Sequence, residues 1–311
     1  MSKMKHGLTR RHFLKTTGAA SLLCSLAPGY LVAADSAVIR KAIPSTGERL
    51  SVIGLGTSRT FDVDSTTAAN SPLLEVMQAF FDNDGQLIDS SPMYGSAEAV
   101  TGALLEKINN KQNLFSATKV WIRGKSEGVD QMEQSMWRLG VERIDLMQIH
   151  NLLDWQTHIE TLREWKAEGK IRYIGITTSH GRYHGELEKI LQQIPLDFVQ
   201  FSYNILDREV ETRLLPIAAE KGIATLINRP YQRGGLFRKV RGKPLPAWAS
   251  EFDCASWGQF FLKFIVSHPD VTCVIPATSK LKHMVDNMAA GYGRLPDEAT
   301  RRRMIETIES I

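Results

Sequence analysis

The sequence predicts an α/β fold: a closed (β/α)8 TIM barrel with an N-terminal β-hairpin and a long loop after strand 7. From residue 50 onward, eight continuous apolar runs alternate with helical patterns, as expected for a parallel sheet covered by helices. The first of these runs leads into Gly54-Leu55-Gly56-Thr57-Ser58-Arg59, which lacks a third glycine and opens no helix. The dinucleotide fingerprint of an open, doubly wound sheet is therefore absent.

Residues 1–34 are predicted to be a twin-arginine signal peptide, and residues 35–311 the barrel domain. The run Thr9-Arg10-Arg11-His12-Phe13-Leu14-Lys15 precedes a mildly apolar stretch, and the small residues Val32-Ala33-Ala34 form a cleavage site. We therefore expect a periplasmic or otherwise exported protein whose partners include the twin-arginine translocation machinery.

Two alternatives to an export signal are a membrane anchor and a lipoprotein. Pro28 interrupts a run that is too short and too weakly apolar to span a bilayer, so we expect no stable membrane anchor. Cys24 is a lipoprotein candidate, but the preceding Leu23 is bulky where such sites have a small residue.

The charge of the chain is concentrated in the predicted signal. The whole sequence has 38 basic and 34 acidic residues, and the first 34 residues carry five of the basic ones and no acidic one. The remaining 277 residues are nearly neutral, so they carry no basic field that would favour nucleic acid as a partner.

The predicted elements follow in chain order. Residues 39–54 read as a hairpin with its turn at Pro44-Ser45-Thr46-Gly47. The eight strand-like runs that follow end near Gly56, Asp89, Lys119, His150, Thr177, Gln200, Asn228 and Pro276. Helical patterns cover residues 73–81, 97–107, 129–139, 154–167, 187–193, 209–221, 255–266, 281–290 and 296 to the C-terminus.

One connection is long, and it separates Asn228 from the helix predicted at residue 255. Long loops in compact domains are usually functional. Cys273 lies in an apolar run and reads as a buried strand residue; a disulfide with Cys254 is the alternative.

Polar residues with complementary chemistry end three successive strand-like runs: Asp89, Lys119 and His150. Tyr94 follows in the loop after Asp89. Because the C-terminal strand ends of a parallel barrel share one mouth, we expect all four side chains to meet there.

These four residue types suit carbonyl reduction, in which hydride delivery builds negative charge on an oxygen that must be protonated. A lysine ammonium lowers the pKa of a nearby tyrosine, and an aspartate keeps that lysine charged and in place. An imidazole can hold the carbonyl oxygen by a hydrogen bond. The set therefore predicts an oxidoreductase with a small-molecule carbonyl substrate and without a metal.

Six motifs in this order resemble those of the aldo-keto reductases: Ile53-Gly54-Leu55-Gly56-Thr57, Asp89-Ser90-Ser91-Pro92-Met93-Tyr94-Gly95, Thr118-Lys119-Val120, Gln148-Ile149-His150-Asn151, Gly175-Ile176-Thr177-Thr178 and Val274-Ile275-Pro276. The resemblance covers about residues 38 to 290. It implies NADP(H) as cofactor, with NAD(H) as an open alternative, and NADPH-dependent reduction of an aldehyde or ketone. In it, Tyr94 is the general acid, Lys119 and Asp89 tune it, and His150 orients the substrate carbonyl.

The resemblance also implies which positions contact the cofactor: Gly56, Thr57, Thr177, Thr178, Gln200, Asn228, Pro230, Thr278, Ser279, Lys280, His283 and Asn287. Three of them depart from the family pattern. Thr178 replaces an asparagine, Asn228 replaces the aromatic ring that stacks on the nicotinamide, and His283 replaces an arginine. Tyr231 is a candidate for the missing ring, and Lys280 for contact with a ribose 2′-phosphate.

Five cations fall in the long loop: Arg233, Arg238, Lys239, Arg241 and Lys243. They read either as a clamp on the cofactor pyrophosphate or as a solvated charge run. Trp121 and Trp248 are each either walls of the substrate pocket or plain packing residues.

Parts of the sequence also match three rival functions. Gly124-Lys125-Ser126-Glu127-Gly128 matches the nucleophile elbow of a serine hydrolase, but residues 121–123 separate it from its strand, and Ser126 reads better as a helix N-cap. His180 and His184 have the spacing of a metal pair, but neighbouring glycines make a poor helix there. A cofactor-bound regulatory or redox-sensing barrel without significant turnover is the alternative from a different class.

Overall fold

The computed structural model describes residues 37–311. A short antiparallel hairpin is the first element in this part of the chain. Its strands are β1 (Arg40–Ala42) and β2 (Arg49–Ser51). The turn between them closes with Gly47 at a φ of 77°, a left-handed conformation that glycine adopts without strain. The predicted signal peptide, residues 1–34, lies outside the described residues.

The hairpin closes one end of the barrel. Ile43 and Leu50 are fully buried and pack against the first inward-facing residues of the strands, among them Phe115, Tyr173 and Phe198. These residues come from the N-terminal halves of the strands, so the mouth with the polar strand ends lies at the opposite, C-terminal end.

Eight parallel strands follow in sequence order around the sheet. They are β3 (Leu55–Gly56), β4 (Leu87–Asp89), β5 (Phe115–Val120), β6 (Ile144–Ile149), β7 (Ile171–Thr177), β8 (Phe198–Ser202), β9 (Ala224–Asn228) and β10 (Cys273–Val274). The last strand returns to the first: Gly54 N donates to Val274 O at 2.8 Å, and Gly56 N donates to Pro276 O at 3.0 Å. The predicted (β/α)8 barrel with an N-terminal hairpin is therefore confirmed.

Ten α-helices are found in residues 37–311, and they surround the barrel. Their bounds are α1 (Pro72–Asp82), α2 (Ala97–Leu105), α3 (Lys125–Leu139), α4 (Trp155–Ala167), α5 (His184–Gln193), α6 (Leu214–Lys221), α7 (Gly235–Lys239), α8 (Trp257–Val266), α9 (Leu281–Ala289) and α10 (Glu298–Glu309). Apolar faces of these helices and the outward residues of the strands form one continuous core. No helix in this part of the chain is long and apolar enough to cross a membrane.

Two sequence predictions about helix starts are wrong. Helix α3 begins at Lys125 with Gly124 as its N-cap, so Ser126 lies inside the first turn and is not the cap. The pattern predicted as one helix over residues 209–221 is a 3-10 helix, Glu209–Thr212, followed by α6. Pro216 has no N–H to bond to the carbonyl of Thr212, so a single helix cannot run through both segments.

The long connection after β9 contains three short helices: a 3-10 helix at Gln232–Gly234, α7, and a 3-10 helix at Ala247–Phe252. Cys254 and Cys273 are both buried and both free thiols, and Cys273 lies in β10 as the apolar run indicated. The open alternative of a disulfide between them is thereby excluded.

Candidate active site

An ion pair occupies the centre of the barrel mouth. Asp89 is the last residue of β4, Lys119 lies near the end of β5, and both side chains are almost completely buried. Lys119 Nζ donates to Asp89 Oδ2 at 2.7 Å and to the carbonyl oxygen of Ser90 at 2.6 Å. Burial alone would lower the pKa of Lys119, but the charges of Asp89 and Tyr94 outweigh it, and the net shift is upward.

Tyr94 lies on the cavity side of this ion pair. It ends a 3-10 turn, Pro92–Tyr94, that follows β4 directly. Lys119 Nζ is 5.0 Å from the centre of its ring. Burial raises the pKa of Tyr94, while the ammonium of Lys119 lowers it by charge and hydrogen bonding; burial prevails. The phenol is therefore neutral near pH 7 and can donate a proton.

His150 completes the predicted set of four. It directly follows β6, and its ring meets the ring of Tyr94 edge-on at 5.8 Å. Burial, followed by the charge of Lys119, lowers the pKa of His150 to about 2. The imidazole is therefore neutral, and it can act as a hydrogen-bond partner but not as a cation.

Ser91 fixes the orientation of His150, a contact that the sequence reasoning missed. Its Oγ lies 2.9 Å from His150 Nδ1 and accepts a hydrogen bond from the backbone N–H of Met93 at 3.2 Å. With that N–H already donating to Oγ, the hydroxyl hydrogen is free to point at Nδ1. This arrangement favours the tautomer with its proton on Nε2, where it can donate to a substrate oxygen.

Two buried glutamines hold the second oxygen of Asp89. Gln148 Nε2 and Gln200 Nε2 donate to Asp89 Oδ1 at 2.9 and 3.0 Å. Gln200 was predicted as a cofactor contact, whereas Gln148 was not predicted at all. Its signal was available, because a glutamine in the middle of the apolar run 144–149 needs a buried polar partner.

The cavity at this mouth has a volume of about 610 Å³. Three of the predicted catalytic residues line it, and Lys119 lies behind them. Seven of the predicted cofactor contacts also line it: Gly56, Thr57, Thr177, Thr178, Gln200, Asn228 and Pro230.

The other five predicted cofactor contacts lie beyond this cavity. Ser279, Lys280 and His283 are exposed near the start of α9. Thr278 is buried, and its Oγ1 accepts from Lys280 N at 3.1 Å. Asn287 is buried on α9, where its Oδ1 accepts from the hydroxyl of Tyr231 at 2.6 Å.

Unsatisfied polar atoms at the cavity test whether a nicotinamide cofactor fits. Thr178 Oγ1, Asn228 Oδ1 and Asn151 Oδ1 are buried and have no hydrogen-bond partner within residues 37–311. The side-chain Nδ2 of Asn228 donates to Thr178 O at 2.9 Å and to Gln200 Oε1 at 3.3 Å, which fixes the orientation of this side chain. Buried polar atoms without partners are rare, so this wall suits a ligand with an amide or hydroxyl groups. A nicotinamide nucleotide is such a ligand.

Tyr231, the candidate for the missing nicotinamide-stacking ring, lies three residues after Asn228 in this part of the chain. It lines the cavity and packs against Phe237, with 4.8 Å between ring centres. The hydroxyl of Tyr231 is engaged by Asn287, so only the ring is available to a ligand.

The predicted phosphate clamp is only partly found at the cavity. Among its five cations, Arg233 lines the cavity, and Arg238, Lys239, Arg241 and Lys243 do not. Two arginines that the sequence reasoning did not single out line it instead, Arg59 and Arg229. Their sequence signal was their position, since each closely follows a strand end.

Left-handed backbone is concentrated in the loops around this mouth. Nine non-glycine residues in the described part of the chain have positive φ, and seven follow β3, β6 or β9: Arg59, Asn151, Leu152, Asp154, Arg229, Gln232 and Arg233. For a residue with a Cβ this conformation costs about 1–2 kcal/mol. Such strain is typical of functional loops.

The remaining candidates lie apart from the cavity wall. Trp121 is partly exposed with its ring 6.3 Å from that of His150. Trp248 packs on Phe252 and Phe260, which favours the packing interpretation. Within residues 37–311, no group of three or more His, Cys, Asp or Glu side chains could hold a metal ion, the surroundings of His180 and His184 included.

A model of the "Aldo/keto reductase family" matches residues 52–304. Aldo-keto reductase YhdN of Bacillus subtilis is 28% identical over 214 residues, 64% of this chain and 64% of that protein. The NADH-specific methylglyoxal reductase of Escherichia coli is 30% identical over 195 residues, 52% of this chain and 57% of that protein. The chain thus spans less than two thirds of the length of these two relatives.

Solved structures share the fold. An aldo/keto reductase from Klebsiella pneumoniae, solved with NADP and acetate, has a TM-score of 0.71 at 22% identity, over 84% of this chain and 93% of that one. The aldo-keto reductase AKR11C1 from Bacillus halodurans in its holo form also has a TM-score of 0.71, over 88% of this chain and 96% of that one.

Proposed function

The chain belongs to the aldo/keto reductase family, and from this premise we propose that it reduces an aldehyde or ketone to an alcohol with NADPH, with Tyr94 as general acid. One observation carries the proposal: a neutral, half-buried phenol faces the cavity with a buried Lys119–Asp89 ion pair behind it. A nicotinamide held by Thr178, Gln200 and Asn228 would supply the hydride for the carbonyl carbon.

The protein's own residues handle the proton and the charge on oxygen. The Tyr94 hydroxyl donates its proton to the oxygen as negative charge develops there. The ammonium of Lys119 stabilises the phenolate that remains, and Asp89 keeps this ammonium in place through a 2.7 Å hydrogen bond. His150 donates from Nε2 and orients the substrate oxygen.

Thr178, Gln200 and Asn228 are the residues we assign to the nicotinamide side of the cavity, because two of them present unsatisfied buried oxygens there. Thr278, Ser279, Lys280, His283 and Asn287 remain proposed contacts for the adenosine part. Which nicotinamide is preferred is tested directly by comparing kcat/KM for NADPH and NADH. The E. coli relative named as NADH-specific is the reason to include both.

The experiment mixes the purified protein with NADPH and a panel of aldehydes and ketones, and follows loss of the reduced cofactor. Tyr94→Phe should lower kcat/KM by about 100-fold or more, since general acid catalysis is worth that much, and should leave cofactor affinity unchanged. Tyr183→Phe makes the same chemical change outside the cavity and should be silent.

Equal activity of Tyr94→Phe and wild type would mean that the acid is wrongly assigned. Tight cofactor binding without turnover of any carbonyl would instead support the alternative, a regulatory or redox-sensing barrel.

We further propose that residues 1–34 direct export through the twin-arginine pathway, which carries folded proteins, and that the barrel leaves the cytoplasm with its cofactor bound. The support is the Arg10-Arg11 pair next to a cofactor-binding family. Protein purified from the periplasm and then denatured should release NADP or NAD. Retention of the full chain in the cytoplasm would refute export, and a periplasmic protein without nucleotide would refute export of the loaded form.

A further inference from the structure

Three arginines converge on the cavity from two loops. Arg59 comes from the loop after β3, and Arg229 and Arg233 come from the loop after β9. All three line the same cavity as Tyr94 and His150. They are therefore positioned to touch whatever reacts there.

Two carboxylates, Asp89 and Asp62, line this cavity, and each has hydrogen-bond partners within the protein. Asp89 is paired with Lys119, and Asp62 accepts from the backbone N–H and the hydroxyl of Ser96 at 3.0 and 3.1 Å. Asp207, whose charge also acts on Arg229, accepts from Ser202 Oγ at 3.3 Å. Within residues 37–311 no ion pair engages any of the three arginines.

The three guanidinium groups also act on one another. Burial lowers the pKa of Arg229, and the charges of Arg233 and Arg59 lower it further. The charges of Asp207 and Tyr94 oppose this shift only in part. Like charges brought together are unfavourable, and an anionic ligand would weaken this repulsion.

The backbone of these three arginines has positive φ, a conformation that glycine adopts with less strain. Their φ angles are 66° at Arg59, 52° at Arg229 and 52° at Arg233. Each lies in a turn closed by backbone hydrogen bonds: Thr60 N to Thr57 O, Gln232 N to Arg229 O, and Gly234 N to Tyr231 O. A bulky cation in three strained positions around one cavity points to a role for the charge.

We propose that Arg59 and Arg229, assisted by Arg233, bind an anionic group, a carboxylate or phosphate, carried by the carbonyl substrate. The guanidinium fork matches either group in a bidentate manner. Arg229 lines the same cavity as Tyr94 and His150, so the anion lies in the same cavity as the reacting carbonyl. Aldehyde or keto acids and phosphorylated carbonyl compounds are the substrate class. The inference rests on the proposed reductase function, and a cofactor phosphate is the second possible source of the anion.

The test compares 4-formylbenzoate with its neutral methyl ester at saturating NADPH. In the wild type, kcat/KM for the acid should exceed that for the ester by about tenfold or more, and the ratio should fall as ionic strength rises. Arg59→Gln and Arg229→Gln should bring the ratio close to one while changing the ester reaction less than threefold. Arg238→Gln is the control, since this residue lies in the same loop, is exposed and does not line the cavity.

Two further measurements separate the possible outcomes. The Kd for NADPH, from fluorescence titration, should change less than threefold in Arg59→Gln and Arg229→Gln; a tenfold loss with an unchanged acid-to-ester ratio would assign the arginines to the cofactor and overturn the proposal. Arg229→Lys should keep part of the acid preference, because it keeps the charge and loses the fork. Unfolding temperatures of all variants exclude a folding defect as the cause.

Turnover of both substrates without preference in the wild type would overturn this inference and leave the reductase function standing. If no carbonyl is turned over, the reductase function fails. In that case, binding of terephthalate that is tighter than that of its dimethyl ester and lost in Arg229→Gln would still support the anion site. Equal binding of the two would overturn it.

Discussion

Asp89 uses both of its carboxylate oxygens: Lys119 binds one, and Gln148 and Gln200 bind the other. A buried charge is tolerated only when it is paired and fully hydrogen-bonded, and this network meets both conditions. The position of the ion pair is therefore fixed by four strands, β4, β5, β6 and β8, and Tyr94 has a rigid support.

The state of His150 leads to a prediction about pH. Its pKa is lowered to about 2, while burial raises the pKa of Tyr94 above its ordinary value of 10.0. Between pH 5 and pH 9 neither group changes its protonation, so kcat/KM for reduction should be flat there and fall only at higher pH, as Tyr94 loses its proton. A profile with a limb near pH 6.5 that disappears in His150→Gln would contradict the neutral imidazole.

Ser91 is expected to act as a positioning residue through the tautomer of His150. Ser91→Ala removes the partner of Nδ1 and should lower kcat for carbonyl reduction by about tenfold, within the usual range for second-layer contacts. Ser91→Thr keeps the hydroxyl and should restore most of the activity. In a His150→Gln background, Ser91→Ala should have no further effect. If Ser91→Ala also lowered kcat about tenfold in the His150→Gln background, Ser91 would act only on folding.

At the residue level, the sequence could locate the side chains whose position depends only on where a strand ends. Asp89, Lys119 and His150 end successive apolar runs, so barrel topology alone brings them together. Arg59 and Arg229 also follow strand ends, but this position alone does not bring their side chains together, because their convergence depends on loop conformations with positive φ. No short motif encodes these conformations when the residue is not glycine.

At the level of elements, the helix and strand patterns located every unit of the barrel, and the errors are at helix starts. Pro216 divides the segment predicted over 209–221, and Gly124 replaces Ser126 as the cap of α3. Both errors have the same origin: hydrophobic periodicity reports which face is buried but not where backbone hydrogen bonding begins.

The contact between α2 and α3 gives a prediction at this scale. A Cβ at Gly102 would lie 2.0 Å from the carbonyl oxygen of Arg138, a backbone atom that cannot move away independently of its helix. Gly102→Ala should therefore destabilise the protein by about 1–3 kcal/mol, measured as the free energy of unfolding in urea.

Gly185 provides the matched control, because it lies in α5 with an ordinary φ, and a Cβ there would make only an ordinary 3.8 Å contact with Arg213 Nη2. Gly185→Ala should be neutral or stabilise by up to about 1 kcal/mol. Equal effects of the two substitutions would show that helix propensity, and not the close approach of α2 and α3, sets the cost at Gly102.

At the level of the whole molecule, alternating runs and the missing third glycine were sufficient to predict a closed barrel. They could not determine which loop residues enclose the cavity. The stretch 278–287 illustrates this, since its family-like sequence lies at the start of α9, beyond the cavity of about 610 Å³. Its proposed contact with the adenosine part of the cofactor remains a prediction.

Cofactor binding should be visible in the stability of the entire barrel. A ligand that binds only the folded state adds about 2.7 kcal/mol at a hundredfold excess over its Kd. For a domain of 277 residues, this corresponds to a rise in Tm of roughly 5 °C. Thermal unfolding with and without NADP is the measurement, with adenosine as the control ligand. An unchanged Tm at saturating NADP would argue against cofactor binding by this barrel.

At the three arginines with positive φ, the stability of the fold and the binding of an anion favour different residues. At Arg59, Arg229 and Arg233, glycine or asparagine would relieve backbone strain, while only a cation would hold an anion. A library randomised at these three codons and sorted for soluble folded protein should drift toward glycine and asparagine. The same library sorted for turnover of a carboxylated aldehyde should be enriched in arginine. The two selections should therefore give different residues at the positions where backbone strain is tolerated because the side chain binds the ligand.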